Sequence, residues 1–291
     1  MKQTNSKNLD LTLVKKLKNK TILVTGGAGS IGSHLVKELL KYPISSLRVL
    51  DIDEHALFQL NRKLKSKRLR LLLGSIIDKE RVEMACNHVD IIIHTAAIKN
   101  IEISEFNPIE TINTNINGTV NLIQEVTKQK PQIFLNISTD KAADASTLYG
   151  TTKQLGEKLT SWAGGHIQNT KFASLRFGNV VETRGNVFEV WKEELDNNLP
   201  LSLTDPNMKR YFFHIDDAVQ FMIKCLFLAN RGEIFVPQMK LHAVKDMAKK
   251  YSSNHKIIGL RKGEKMEEIL ITNNELKNAK KLKDMWIITP K

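Results

Sequence analysis

The sequence predicts an α/β fold: a doubly wound parallel sheet with helices on both faces, followed by a smaller, discontinuous C-terminal lobe. Three observations carry that prediction. Short apolar runs alternate with helix-patterned segments through the first 180 residues, as parallel strands joined by crossover helices require. One run, VDIIIHTAA at 89–97, is almost wholly apolar, as expected of a strand covered on both faces. The first run ends in a glycine cluster that opens an amphipathic helix, the geometry in which a backbone turn meets a phosphate-bearing ligand.

The elements follow in order. KTILVT at 20–25 reads as the first strand and SIGSHLVKELLKY as its helix. LRVLD at 47–51 is the second strand, with a helix from about Glu54 to Lys65. LRLLLG is the third strand, before a helix around Lys79–His88. Strand four lies within 89–97, residues 108–129 read as helical, and QIFLNIS at 132–138 is strand five. The next helix carries Tyr149 and Lys153 and runs to about Trp162, and FASLRFGNV at 172–180 is strand six. Beyond Asn179 the pattern loosens into short helices and loops. The expected division is a lead-in over 1–19, a dinucleotide-binding unit over 20–180 and a ligand-binding lobe over 181–291, partly interleaved with that unit.

The chain has 291 residues, 41% of them hydrophobic and 26% charged, which suits a folded protein with a sizeable core. Its two cysteines, Cys86 and Cys225, stand in apolar contexts and read as buried thiols of a reducing compartment. No run reaches the roughly 18 apolar residues of a membrane span. The basic start lacks an apolar signal region, so a cytoplasmic protein with no membrane partner is expected. The net charge of +13 invites a nucleic-acid reading. However, the lysines are scattered along helices without interleaved aromatic residues, so no nucleic-acid partner is expected. The eight histidines are dispersed and suggest no metal site.

TGGAGSIG places Gly26, Gly29 and Gly32 between a strand and a helix, with Ser30 and Ile31 opening that helix. Glycines let the backbone approach a pyrophosphate, and the helix start offers unpaired N–H groups. Asp51 ends the second strand nineteen residues after Gly32, where a carboxylate accepts hydrogen bonds from adenosine ribose hydroxyls. It would repel a 2′-phosphate, which favours NAD over NADP. Arg62 and Lys63 are either partners for such a phosphate or an exposed helix face. Asp78 is either a contact at the adenine edge or a helix N-cap.

The run STDKAADASTLYGTTK concentrates acid/base groups. Tyr149 and Lys153, four apart, share a helix face, where an ammonium can lower the phenol's pKa and make it a base. Thr139, Asp140 and Lys141 add a second acid/base set, which suggests chemistry of more than one step.

With HTAA at 94–97 and Asn115, these motifs resemble the extended short-chain dehydrogenase/reductase superfamily over nearly the whole chain. STDKAA, LYGTTK, LRFGNVVETRG, LTDPNMKRYFF, GEIFVP and GLRKGEK resemble in particular the UDP-N-acetylglucosamine 4,6-dehydratases of the polysaccharide-biosynthesis group. That resemblance implies a tightly bound NAD near Ala96 and Ala97, and a UDP-sugar as substrate. Tyr149 with Lys153 would deprotonate the sugar 4-hydroxyl, which Thr139 positions. Lys141 would remove the hydrogen on carbon 5 and Asp140 would protonate the departing 6-hydroxyl, a division that coupled neighbours could reverse. Lys99, Asn179, Arg210, Arg261 and Glu264 would hold the sugar nucleotide, with Arg176 near the same strand end and His94 a packed strand-end residue.

Glu182-Thr183, the FEVW stretch at 188–191, Lys262 and Glu267 depart from the family's usual residues. Relatives pair through the helix bearing the Tyr/Lys motif, so a homo-oligomer is expected. The alternatives are a nucleotide-sugar 4-epimerase, which would leave Asp140 and Lys141 without a task, and a non-catalytic NAD-bound regulatory or RNA-binding protein.

Overall fold

The computed structural model describes residues 10–261 and 263–290; the first nine residues of the lead-in, Lys262 and Lys291 lie outside the described residues. The six strands read from the sequence form a parallel array. They are β1 (Thr21–Thr25), β2 (Ser46–Asp51), β3 (Leu69–Leu73), β4 (Ile91–His94), β5 (Ile133–Thr139) and β6 (Lys171–Phe177). A short β7 (Asn179–Val180) follows β6, then β8 (Leu201–Leu203), β9 (Lys209–Phe213), β10 (Arg231–Pro237), β11 (Leu241–Ala243), β12 (His255–Ile257), β13 (Ala279–Lys281) and β14 (Met285–Ile288). The large sheet has nine strands in the order β13-β14-β10-β6-β5-β4-β1-β2-β3. β10 joins β6 in parallel, while β14 and β13 extend that edge antiparallel. After Asn179 the sequence pattern predicts short helices and loops in a lobe partly interleaved with the first unit; three strands of that stretch, β10, β13 and β14, lie in the large sheet. GEIFVP is β10, a core strand rather than part of a loose lobe.

Strand order reverses between β1 and β4, where the first crossover runs to β2 and the later one to the other side. Their carboxyl ends diverge there into a crevice, the usual ligand position in open α/β sheets. Helices α1 (Leu11–Leu17), α2 (Ser30–Leu39), α3 (Glu54–Leu64) and α4 (Lys79–Cys86) belong to the first half. Beyond β4 come α5 (Ile101–Phe106), α6 (Pro108–Ile112) and α7 (Gly118–Gln129), then α8 (Leu148–His166), which carries Tyr149 and Lys153. The later chain adds α9 (Val187–Asp196), α10 (Ile215–Leu226), α11 (Val244–Ala248) and α12 (Asn273–Leu276).

Alternation along the central strands sorts the core to two faces. Ile22, Val24, Ile91, Ile93 and Leu135 pack with α2, α3 and α10 on one side. Leu23, Ile92, Phe134 and Phe172 pack with α4 and α7 on the other. Ile91, Ile92 and Ile93 have no exposed surface, as the run of isoleucines required. Caps fix several helix starts: Asp53 accepts from Ala56 N–H, Asp78 from Arg81 N–H and Thr147 from Gly150 N–H. The β7–β9–β11 and β8–β12 sheets form the smaller lobe with α9 and α11, around Trp191, Leu201, Leu203 and Met208.

Arg176, on β6, is 1% exposed and lies between two acids. Its guanidinium donates to Glu157 of α8 at 3.0 and 2.6 Å and to Glu275 of α12 at 3.0 and 2.7 Å. It also donates to the Leu270 carbonyl at 3.0 Å. The sequence placed Arg176 at the ligand end of strand six; its side chain instead ties the sheet, α8 and the C-terminal segment together. Truncation would leave Glu157 buried without its counter-charge. Arg176→Met is therefore expected to cost about 3–5 kcal/mol, read from the midpoint of urea unfolding.

Candidate active site

At the carboxyl ends of β1, β4, β5 and β6 lies a cavity of about 770 Å³ that extends into the smaller lobe. One end is built by the glycine loop. Gly26 has φ +66° and packs so closely on Ala96 that a Cβ would stand 2.6 Å from its Cα. A Cβ on Gly32 would stand 2.3 Å from the Gly26 carbonyl oxygen, so α2 reaches the loop only without a side chain there. The start of α2 carries no side-chain cap, which leaves its N–H groups directed at the cavity. Ser30, Ile31, Asp51, Ala96 and Ala97 line the same end. These groups fit a dinucleotide: uncapped amides for its pyrophosphate and a carboxylate for its ribose. Asp51 is held in place by N–H groups of Ala28 at 2.9 Å and Asp53 at 3.1 Å. Asp78 does not line the cavity; its carboxylate caps α4, the second of the two readings open from sequence. Arg62 and Lys63 are also absent from the lining, and Arg62 stacks over Phe58.

A polar relay holds this end together. His94 is 1% exposed, and burial pushes it down to about 3, so the ring is neutral. Thr119 donates to the Asn115 carbonyl at 2.7 Å, which leaves its oxygen to accept from His94 Nε2 at 3.0 Å. Nδ1 then accepts from Thr25 at 2.8 Å, at the foot of the glycine loop. Asn115 sits in a π-helical turn over Asn113–Asn117, an irregularity common at functional sites. Its side chain accepts from Ile98 N–H at 2.8 Å and donates to the Ile98 carbonyl and to Thr152 of α8. The loop after β4 is thereby pinned to the helix bearing Tyr149.

Thr139, Lys141, Tyr149 and Lys153 all line the middle of the cavity. Asp140 stands behind them, 1% exposed and not part of the lining. Its Oδ1 accepts from Thr139 Oγ1 at 2.9 Å and from Lys141 Nζ at 3.0 Å. Its Oδ2 is buried with no partner among the described residues. Burial, and then the Asp140 charge, push the Tyr149 phenol upward, against a smaller opposing effect of Thr139. The sequence reading expected the Lys153 ammonium to pull the phenol down. Instead, burial of Lys153 lowers its own amine to about 8, with the Glu157 carboxylate opposing the fall.

The far end gathers the remaining sequence-predicted residues. Asn179 lines the cavity and accepts from Lys141 Nζ at 3.5 Å. Arg210, 7% exposed, donates to Glu264 at 3.4 Å, and Glu264 accepts in turn from the Arg261 N–H at 3.2 Å. The Arg261 side chain pairs with Glu102 at 3.1 Å across the rim. Lys99 also lines the wall and donates to the Arg184 carbonyl at 2.6 Å. Apolar and aromatic groups from the smaller lobe, including Phe188, Phe212 and Met208, complete this end.

Glu268 was missed in the sequence. It lines the cavity, is 6% exposed and lies 3.8 Å from Lys141 Nζ. No local signal marks it: residues 267–270 read Glu-Glu-Ile-Leu, and only in the fold are Glu268 and Leu270 buried while Glu267 and Ile269 are exposed.

The model of the family described as polysaccharide biosynthesis protein matches residues 22–290. The chain belongs to that family. Among its relatives, a protein of Methanocaldococcus jannaschii named as an uncharacterized membrane protein is 41% identical over 94% of this chain and 86% of its own. An inverting UDP-N-acetylglucosamine 4,6-dehydratase of Campylobacter jejuni is 35% identical over 93% of this chain and 83% of its own. A UDP-glucose 4-epimerase of Rickettsia bellii is 31% identical over 93% and 83%. Of solved structures, Pen from Bacillus thuringiensis superposes with a TM-score of 0.90 at 32% identity, covering 94% of this chain and 89% of that one. A dTDP-glucose 4,6-dehydratase from Streptomyces venezuelae with NAD bound has a TM-score of 0.79 at 22% identity, over 88% and 90%, a likeness of fold. Among the described residues no helix is long and apolar enough to cross a membrane.

Two outcomes follow for this family member. Gly32→Ala is expected to lower the dinucleotide retained on purification by about tenfold or more, the scale of a ~1–3 kcal/mol overpacked contact, read from the absorbance of released cofactor. For Lys153, the folded amine lies near 8 and the reference amine at 10.5. The unfolded chain holds the extra proton between those values, so stability rises with pH across that window and the penalty is complete below it. Wild type should thus gain stability relative to Lys153→Met as pH rises through that window in urea titrations.

Proposed function

We propose that this family member is an NAD-dependent nucleotide-sugar 4,6-dehydratase acting on a UDP-sugar, with UDP-N-acetylglucosamine as substrate and a 4-keto-6-deoxy sugar nucleotide as product. The supporting observation is the Asp140–Lys141 pair at 3.0 Å, with Lys141 in the wall of the cavity that also holds Tyr149 and Lys153. Interconversion at carbon 4 needs only the tyrosine and its lysine. Loss of water from carbons 5 and 6 needs a further base and a further acid, and this pair supplies both. The named dehydratase and epimerase relatives both modify sugar nucleotides, so the activity class is common to the two readings.

The dinucleotide would lie across the Gly26–Gly32 loop with its ribose on Asp51, and the carboxylate there favours NAD over NADP. Bound NAD supplies a hydride acceptor and then a hydride donor. Tyr149 takes the proton of the 4-hydroxyl as a phenolate, its own proton having passed to water before the sugar enters. The Lys153 ammonium offsets the upward push of burial on the phenol, while the Thr139 oxygen positions the 4-hydroxyl. Lys153 stands beside them as the cation. The carbonyl formed at carbon 4 acidifies the hydrogen on carbon 5. Lys141 takes that proton as the amine left when its own proton passes to Asp140 across their 3.0 Å contact, which also makes Asp140 the acid. Asp140 protonates the departing 6-hydroxyl through Thr139, whose hydroxyl lies 2.9 Å from it and can both accept and donate. Asn179, Arg210, Arg261 and Glu264 hold the nucleotide diphosphate and ribose, and Lys99 faces the same ligand. Arginine suits that task because its planar fork pairs with phosphate oxygens.

Incubation with UDP-N-acetylglucosamine in deuterated water, followed by proton NMR, is expected to give a 6-deoxy methyl signal with deuterium at carbon 5. The ring couplings report the configuration at that carbon. A 4-epimer with an intact 6-hydroxymethyl group would establish the epimerase instead. Tyr149→Phe should lower turnover by about 10²–10⁴-fold. Lys141→Ala should abolish the methyl signal while reduction of bound NAD by substrate persists in the near-ultraviolet absorbance.

A further inference from the structure

Glu268 has no task in the steps above, although it is buried in the cavity wall and faces Lys141 across 3.8 Å. The two carboxylates flank the lysine from different parts of the chain. Asp140 precedes it on the turn after β5, 3.0 Å away, and Glu268 arrives from the C-terminal segment. The other charged groups facing Glu268 are Arg210 on β9 and Lys265 on its own segment. Two hydrogen bonds to one carbonyl fix that segment: the Lys209 backbone N–H donates to the Met266 carbonyl at 2.9 Å, and the Arg210 guanidinium donates to it at 3.3 Å. Two residues beyond Glu268, the Leu270 carbonyl accepts from buried Arg176.

The role of Glu268 rests on the dehydration reading and turns on charge. When the bond from carbon 5 to hydrogen breaks, its electron pair moves into the enolate of the 4-ketone and the proton goes to the Lys141 amine. An ammonium then stands in a cavity wall largely shielded from water, where an unpaired charge is costly. Asp140 cannot balance it at that moment. As the acid, it must keep its proton until the bond from carbon 6 to oxygen breaks, the oxygen leaves as water, and the enolate pair forms the double bond between carbons 5 and 6. A protonated carboxyl carries no charge. We propose that Glu268 is a positioning residue acting through Lys141: it holds the amine at the cavity wall and serves as counter-anion to the ammonium formed when the carbon-5 proton arrives. Burial pushes the Glu268 carboxyl up, and the Lys141 charge is the largest influence drawing it back down. The charges of the two side chains are therefore linked, as a base and its counter-ion require.

The test uses the 4-keto-6-deoxy product made by the wild-type holoenzyme. Its carbon-5 hydrogen exchanges with deuterated water through the Lys141 step alone, without hydride transfer. Glu268→Gln, nearly isosteric but uncharged, is expected to slow that exchange, measured on the plateau above the midpoint where the amine is free, on the order of ten- to a hundredfold, the scale of one opposite charge beside an ionising group. Without the anion the ammonium is disfavoured, so the midpoint of the exchange-versus-pH curve moves to lower pH. Glu268→Asp, which keeps the charge, is expected to restore most of the rate and the wild-type midpoint. Both variants are compared at equal retained NAD and equal unfolding midpoint to wild type, with Glu268→Asp carrying the test if the amide variant does not fold. Exchange by Glu268→Gln at the wild-type rate and midpoint overturns the proposal, as does a slower rate with an unmoved midpoint. Equal slowing by Glu268→Asp with its midpoint moved likewise overturns it. If wild type forms no 4-keto-6-deoxy product at all, the dehydration reading itself fails, and Glu268's role with it.

Discussion

The buried Arg176 guanidinium is the interaction on which the geometry of the cavity depends. Four of its hydrogen bonds go to carboxylates on two other elements, Glu157 on α8 and Glu275 on α12. A charge this deep is tolerated only while its partners stay in place, since removal of either side strands the other in a low-dielectric interior. That constraint makes the position of α8 and of the C-terminal segment mutually dependent. α8 carries Tyr149 and Lys153, while the segment leading into α12 carries Glu264 and Glu268. Walls of the cavity more than a hundred residues apart in sequence are thus registered through one side chain on β6.

Glu157 has a second effect through its position one turn beyond Lys153. Its carboxylate opposes the fall that burial imposes on the Lys153 amine. The same acid therefore anchors the helix and sustains the charge of the cation beside Tyr149. Its partner Arg176 neutralises it on the far side, so the influence on Lys153 is that of a compensated rather than a bare carboxylate. Structural tie and site electrostatics meet in one residue, which is why the two cannot be separated along the chain.

The fold was legible where one physical signal dominated. The isoleucine run of β4 and the glycine cluster before α2 announced themselves because burial on both faces and close backbone approach each permit few residue types. Asp51, Tyr149, Lys153 and Lys141 were legible for a related reason: local spacing sets their relation to each other or to an element's end. What sequence missed depends on contacts made at long range. β10, β13 and β14 looked like parts of a loose lobe because GEIFVP and MWII are short runs whose partners cannot be read locally. Glu268 was overlooked for the same reason, since its burial is decided by Lys141 more than a hundred residues earlier. Asp78 carried two local meanings, and the helix cap prevailed. The direction of the Tyr149 shift was misjudged because helical spacing brings an amine near a phenol but says nothing of how far both are removed from water.

That removal from water gives the cavity a consistent character. Burial drives the Tyr149 phenol and the Glu268 carboxyl upward and the Lys153 amine downward, each toward its uncharged form. A wall biased in this way favours proton transfers between neutral partners and resists leaving isolated charges behind. Charge must then be introduced in compensated pairs, which is how the site is built: Lys141 lies against Asp140 and Glu268, and Arg210 against Glu264. A diphosphate entering this end would bring negative charge to Arg210 and Arg261, both already paired with carboxylates. Binding would therefore exchange one partner for another instead of filling an uncompensated positive pocket. The +13 net charge of the chain has little bearing on that selection at this end, because Arg210 and Arg261 are matched by Glu264 and Glu102. Discrimination among anionic ligands then rests on the fixed geometry of the arginine forks and on the aromatic and apolar wall around Phe188 and Phe212, more than on long-range attraction.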